Sequence, residues 1–127
     1  MNESLVYKKA FNFSIKIVNL YKNLCKDQHE YIISKQLLRS GTSIGANIKE
    51  GLYGQSKKDF LSKFSISLKE CSETMYWLEL LRATKYIDEV MSNELIEDCS
   101  EINRMLTSIV KTTKQSLTIS WELIVSE

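Results

Sequence analysis

The chain has no proline and only four glycines in 127 residues. Average usage would supply about 5% proline, so the commonest helix breaker is missing and long uninterrupted helices are expected. Histidine occurs once, as His29. With a single imidazole far from any nucleophile motif, no Ser/His/Asp set can be assembled, and the inward Glu-x-x-His pairs of metal-binding bundles are absent. The three cysteines, Cys25, Cys71 and Cys99, are odd in number, far apart and without CxxC spacing. They exclude a disulfide framework and a zinc site and read as buried reduced thiols. No run of about 18 apolar residues exists, so no membrane span is expected. The opening Met1-Asn2-Glu3-Ser4 lacks the basic start and apolar core of a secretory signal. Reduced thiols and that start together predict a cytoplasmic protein.

What is present is helical periodicity. With 43% hydrophobic and 26% charged residues, the chain can build one domain with a real core. Val6, Ala10, Phe13, Ile17, Leu20 and Leu24 recur at spacings of four and three, which predicts a first helix over about 4–26. Ile33, Leu37, Ser40, Ile44 and Ile48 predict a second over about 30–50. Its centre, residues 40–47, holds Gly41 and Gly45 and is poor in helix formers, since each Gly costs roughly 1 kcal/mol relative to Ala. A loop is the competing local reading, but the stripe keeps register on both sides and the helix is preferred. Gly51 and Gly54 are expected to end it.

Ser56 is a good N-cap with Asp59 three residues on. Phe60, Phe64, Leu68, Cys71, Met75 and Leu78 then predict a third helix over about 57–84. A fourth, starting at Asp88 or Ser92 and covering about 89–114, follows from Leu95, Cys99, Ile102, Leu106 and Ile109. The short connections make sequential helices antiparallel. The predicted fold is therefore all-α, an up-down-up-down four-helix bundle. The tail, 115–127, departs from this pattern. Its β-branched and aromatic residues, Thr118, Ile119, Trp121, Ile124 and Val125, suggest an extended arm lying on the bundle or on a neighbouring subunit, or a loosely ordered terminus.

Little else carries chemistry. Gly41 to Gly45 lacks the GxxxxGK[ST] spacing and a preceding strand, so it is not a phosphate loop. Met75 and Met105 sit on apolar faces without a partnering histidine and read as core filler. No cofactor or metal is called for, and an enzyme reading has no anchor. Charge is more informative. The formal net charge of +1 hides twelve Lys/Arg against five Asp/Glu in residues 1–69 and five against eleven in 70–127. Lys8, Lys9, Lys16, Lys22, Lys57, Lys58 and Lys63 would suit a phosphate backbone if several share a face. The bland alternative is helix-surface lysines paired with acidic neighbours. Glu70 and Glu73 are candidates to pair across helices with Arg39 or Arg82.

The segment Arg39-Ser40-Gly41-Thr42-Ser43-Ile44-Gly45-Ala46-Asn47-Ile48-Lys49-Glu50-Gly51 closely resembles the hallmark of the four-helix-bundle proteins encoded in 23S rRNA intervening sequences. Ser56-Lys57-Lys58-Asp59-Phe60 and Lys63 match the start of that family's third helix. Leu68-Lys69-Glu70, Glu73-Thr74 and Tyr76-Trp77-Leu78 match its later part. The resemblance is strong over about 36–81 and holds by pattern elsewhere. It implies a bacterial protein and a ring-shaped homopentamer. It also brings in the accessory protein of diversity-generating retroelements, which resembles a basic barrel binding nucleic acid and a reverse transcriptase. Physically, Gly41, Gly45 and Ala46 would permit tight helix crossing, and Ser40, Ser43 and Asn47 would hydrogen-bond across it. Arg39, Asn47 and Glu50 would form a buried polar network or a subunit contact.

Two functions follow as expectations. The first is a non-enzymatic, homo-oligomeric accessory module that binds RNA or DNA through the lysines. The second is a scaffold for other proteins, with the ring, the tail and Trp121 serving as the docking surface. Neither involves a membrane.

Overall fold

The computed structural model describes the backbone of residues 2–126 and the side chains of 5–119 and 122–125. Four helices follow one another: α1 (Asn2–Gln28), α2 (Ile33–Leu52), α3 (Lys57–Ala83) and α4 (Glu89–Ser126). They close a square in which α1 meets α2, α2 meets α3, α3 meets α4 and α4 returns to α1; no diagonal pair touches among the described residues. The side chains fix the antiparallel sense. Ala10 lies against Gly45 and Ile17 against Gly41. Thr74 meets Ser40, Ser67 meets the Ile44 carbonyl, and Cys99 meets the Cys71 carbonyl.

The predicted stripes form the core. Val6, Phe13, Ile17 and Leu24 of α1, Leu37, Ile44 and Ile48 of α2, Phe64, Leu78 and Leu81 of α3, and Ile102 and Leu106 of α4 are all buried. Each contributes about 1.5–3 kcal/mol of transfer free energy. The segment 40–47 is helical, as its register requires. Two glycines of α2, Gly41 and Gly51, make room instead of bending the chain. A β-carbon on Gly41 would lie 3.0 Å from both γ-carbons of Ile17, and one on Gly51 would lie 2.8 Å from Phe64 Cδ1. Gly51 thus belongs to the last turn of α2 and does not terminate it. No glycine has positive φ.

The ends are set by other residues. Ser56 caps α3 by accepting from the Asp59 amide at 3.1 Å, and the Asp88 carboxylate caps α4 by accepting from the Met91 amide at 2.8 Å. Between α1 and α2, His29 takes φ 55° and aims Glu30 at the next helix. The Glu30 carboxylate, only 7% exposed, accepts from the Ile32, Ile33 and Ser34 amides at 2.9 Å each. It satisfies the orphan donors of α2 and suits the positive end of its dipole. For this reason α2 begins at Ile33 and not at the expected position 30.

Lys85 is the second left-handed residue, at φ 68°. It ends α3 in a Schellman turn, with Tyr86 N–H donating to Leu81 O at 2.9 Å and Lys85 N–H to Arg82 O at 3.0 Å. A non-glycine residue there costs about 1–2 kcal/mol of backbone strain. Lys85→Gly is therefore expected to raise the unfolding free energy by about 0.5–1 kcal/mol, net of glycine's extra chain entropy. A urea midpoint at constant m-value checks this.

The tail corrects the sequence reading. Residues 115–126 continue α4 as helix instead of forming an extended arm. Val110, Leu117 and Ile124 recur every seven residues, no breaker intervenes, and β-branched residues cost only a few tenths of a kcal/mol each in a helix. Nor does this end lie on its own bundle: Ile119, Ile124 and Val125 are exposed. The Trp121 side chain lies outside the described residues.

Candidate nucleic-acid interface

The seven sequence-nominated lysines do not share one face. Lys9 and Lys16 lie on the flank of α1 that meets α4 and are already paired. Lys9 reaches Glu101 at 2.9 Å, and Lys16 reaches Asp98 at 2.8 Å and Glu94 at 3.1 Å. The hydrogen bonds it donates to Asp98 and Glu94 push the Lys16 ammonium above its ordinary value, and the Lys9 ammonium holds the Glu101 carboxyl below its own. Lys63 pairs with Glu50 at 3.1 Å. These three tie helices together and are poor phosphate ligands. Among the described residues, Lys8, Lys22 and Lys58 have no ion-pair partner, and Lys57 donates to the Ser116 hydroxyl at 2.8 Å.

Antiparallel packing sorts the unpaired cations by level. The N-terminus of α1, the C-terminus of α2, the N-terminus of α3 and the later part of α4 lie at one end of the bundle. Residues 2–12, 46–64 and 104–122 at that end carry nine Lys/Arg against four Asp/Glu; residues 13–45 and 65–103 carry eight against eleven. Lys8, Lys49, Lys57, Lys58, Lys111 and Lys114 make up the basic end, all exposed. Lys49 also sits 5.6 Å from the centre of the Tyr7 ring. Lys22 is at the opposite end and does not join them. Lys49, Lys111 and Lys114 escaped the sequence reading because a split counted along the chain does not say which helix ends coincide.

The hallmark residues serve packing, in a different pattern from the one expected. Ser40 crosses to α3, accepting from Thr74 Oγ1 at 3.0 Å, and Ser67 donates to Ile44 O at 2.7 Å. These buried hydroxyls make a polar seam between α2 and α3 that sequence spacing alone did not reveal. Ser43 and Asn47 bond within their own helix, Ser43 to Arg39 O at 2.6 Å and Asn47 to Ser43 O at 2.9 Å. Nor is there a buried network of Arg39, Asn47 and Glu50. The Arg39 side chain is 51% and the Glu50 side chain 58% exposed, because both lie on the solvent side of α2. Gly41 and Gly45 face α1, while Ala46 is exposed.

Arg39 joins Glu70 at 3.4 Å and Glu73, and Glu73 also accepts from the Trp77 indole N–H at 3.0 Å. The Trp77 hydrogen bond first, then the Arg39 guanidinium, hold the Glu73 carboxyl below its ordinary 4.5. A depressed carboxyl contributes stability above its unfolded value and loses it as the pH falls through its folded one. Stability is thus expected to start falling below about pH 4.5, by a small amount because the group is partly solvated. Arg39→Gln should flatten that part of a urea-midpoint profile against pH.

Nothing among the described residues suggests other chemistry. No group of three or more His, Cys, Asp or Glu is placed to hold a metal. His29 is exposed beside the Tyr31 hydroxyl at 3.1 Å. Cys71 and Cys99 are buried free thiols, and the Cys99 contact and burial push the Cys71 thiol upward, away from reactivity. No described helix is long and apolar enough to cross a membrane.

A family model described as 23S rRNA-intervening sequence protein matches residues 2–108. Among solved structures, the chain is similar to a protein of unknown function from the S23 ribosomal protein family of Bacteroides thetaiotaomicron. The identity is 50% and the TM-score 0.86, over 87% of this chain and 99% of that one. No curated protein matches.

Proposed function

Since the chain belongs to the 23S rRNA-intervening sequence protein family, we propose that it is a non-catalytic, homo-oligomeric accessory protein that grips nucleic acid through the basic end of its bundle. The observation that carries this reading is the gathering of Lys8, Lys49, Lys57, Lys58, Lys111 and Lys114 at one end, while Lys9, Lys16 and Lys63 are neutralised by acids. Exposed, unpaired ammonium groups release counterions when they meet phosphates, and this gives affinity without sequence preference. A homo-oligomer, the ring-shaped homopentamer implied by the resemblance, would repeat the basic end and multiply weak contacts into useful avidity. The expected setting is the cytoplasm of a bacterium.

Charge reversal tests the location. Lys57→Glu with Lys58→Glu is expected to weaken binding of a structured RNA by about tenfold or more at moderate salt. Lys22→Glu with Lys26→Glu, at the other end, should change it little. Equal losses would count against a localised site. A protein-docking scaffold is the second reading, favoured by the exposed apolar end of α4; it expects both double variants to be silent.

A further inference from the structure

Among the described residues, the aromatic side chains most open to solvent are Phe11, Tyr31, Tyr53 and Tyr76. Tyr31 and Tyr76 lie outside the basic end and have polar or aromatic partners of their own. The Tyr31 hydroxyl is 3.1 Å from His29 Nδ1, and the Tyr76 ring meets Trp77 edge-on with centroids 4.9 Å apart. Phe11 and Tyr53 stand among the lysines.

Tyr53 is the most exposed ring described, at 79%, and its side chain has no hydrogen bond or ring contact among the described residues. It follows Lys49 by one helical turn, its N–H donating to Lys49 O at 3.2 Å. Residues four apart on a helix carry neighbouring side chains. The chain then turns tightly, with Gly54 N–H donating to Gly51 O at 3.1 Å, and α3 opens with Lys57 and Lys58, both exposed. On the other side of Lys49, its ammonium lies 5.6 Å from the centre of the Tyr7 ring. Tyr7 in turn lies 6.2 Å from the ring of Phe11, which is 53% exposed. Rings and ammonium groups therefore alternate across this end of the bundle.

A single exposed ring on a surface needs no explanation. Rings interleaved with exposed cations make a surface of a different kind. The ammonium groups hold a phosphate backbone, and each ring offers a flat face on which a base can stack. In a duplex the base faces are already covered by their neighbours, so a surface ring cannot reach them; in an unpaired stretch they are free. We infer that the basic end takes single-stranded nucleic acid, a free strand or an unpaired loop, with Tyr53 and Phe11 as stacking platforms between the lysines that hold the phosphates. This rests on the nucleic-acid reading above and names the form of nucleic acid it takes.

Fluorescence anisotropy with the full chain tests this, using one labelled, unstructured RNA strand, alone and annealed to its complement, across a salt series. Tyr53→Ala and Phe11→Ala are each expected to weaken binding of the single strand about tenfold, the loss of one stacked base, and to leave the duplex unchanged. Tyr53→Phe keeps the ring and should keep the affinity, and Tyr76→Ala should be silent. The salt slope of Tyr53→Ala should equal that of the unaltered chain, since no phosphate contact is lost, whereas Lys57→Glu with Lys58→Glu should lower it. The substituted positions are exposed, and far-UV circular dichroism with a melt checks that each variant is folded. If folded alanine variants bind the single strand as tightly as the unaltered chain, or lose strand and duplex alike, the stacking inference is overturned while the basic end stands. A full chain that binds neither form at low salt would overturn both.

Discussion

Replacing Phe64 by alanine is expected to lower the unfolding free energy by about 3–5 kcal/mol, the largest loss from any single substitution proposed for this chain. The ring is fully buried and stacks on Phe60 with centroids 4.0 Å apart. It also fills the space left by the missing side chain of Gly51, where a β-carbon would come within 2.8 Å. Truncation opens a cavity that the helices cannot collapse into, because the neighbouring α2–α3 seam is pinned by the Ser67 bond to Ile44 O. The complementary substitution, Gly51→Ala, overpacks the same point. It should cost about 1–3 kcal/mol, reduced by up to about 1 kcal/mol of helix propensity. Combining Gly51→Ala with Phe64→Leu should cost less than the sum of the two, since the smaller side chain admits the methyl group. Urea unfolding of the four proteins forms the cycle; strict additivity would show that ring and glycine do not share the space.

Removal of the Glu30 carboxylate is expected to have the next largest effect, about 2–3 kcal/mol for Glu30→Ala. Three consecutive amides at the start of α2 then lose their acceptor, the Ser34 amide in a buried place and the other two in part-buried ones. Glu30→Gln keeps one acceptor oxygen and should recover roughly half of the loss. Amide hydrogen exchange localises the effect: Ile32, Ile33 and Ser34 should lose protection ahead of the core amides of α3. Uniform loss of protection would place the damage in the core instead.

The elements were legible because each stripe is long and unbroken. Val6 to Leu24 could be read as a buried helix face without knowing its neighbours, and so could the cap Ser56, whereas the start of α4 stayed open between Asp88 and Ser92 until the Asp88 bond to the Met91 amide fixed it. What stayed hidden was set between helices. Lys9 and Lys16 look like solvent lysines on α1 alone. They become structural only through the register fixed where Ala10 meets Gly45 and Ile17 meets Gly41, which brings Glu101 and Asp98 alongside. The same register gathers Lys49, Lys57 and Lys111 at one end although they are far apart in sequence. Glu30 reads as the first residue of a helix because its role depends on the left-handed turn at His29, a conformation uncommon for any non-glycine residue even though histidine is enriched in it. The tail misled through local composition. Ile119, Ile124 and Val125 favour strands, but strand preference is a statement about packing neighbours, and no sheet is there to supply them. With no breaker in the way, the helix simply continued.

A salt series of RNA binding decides whether the lysines gathered at one end of the bundle bind phosphate backbone. The protein should bind a structured RNA, with the logarithm of affinity falling linearly against the logarithm of salt at a slope of several counterions. The oligomer's mass is followed in the same buffers. Absence of binding at low salt, with the oligomer intact, would rule out the lysine cluster as a nucleic-acid site and leave protein docking as the function of this fold.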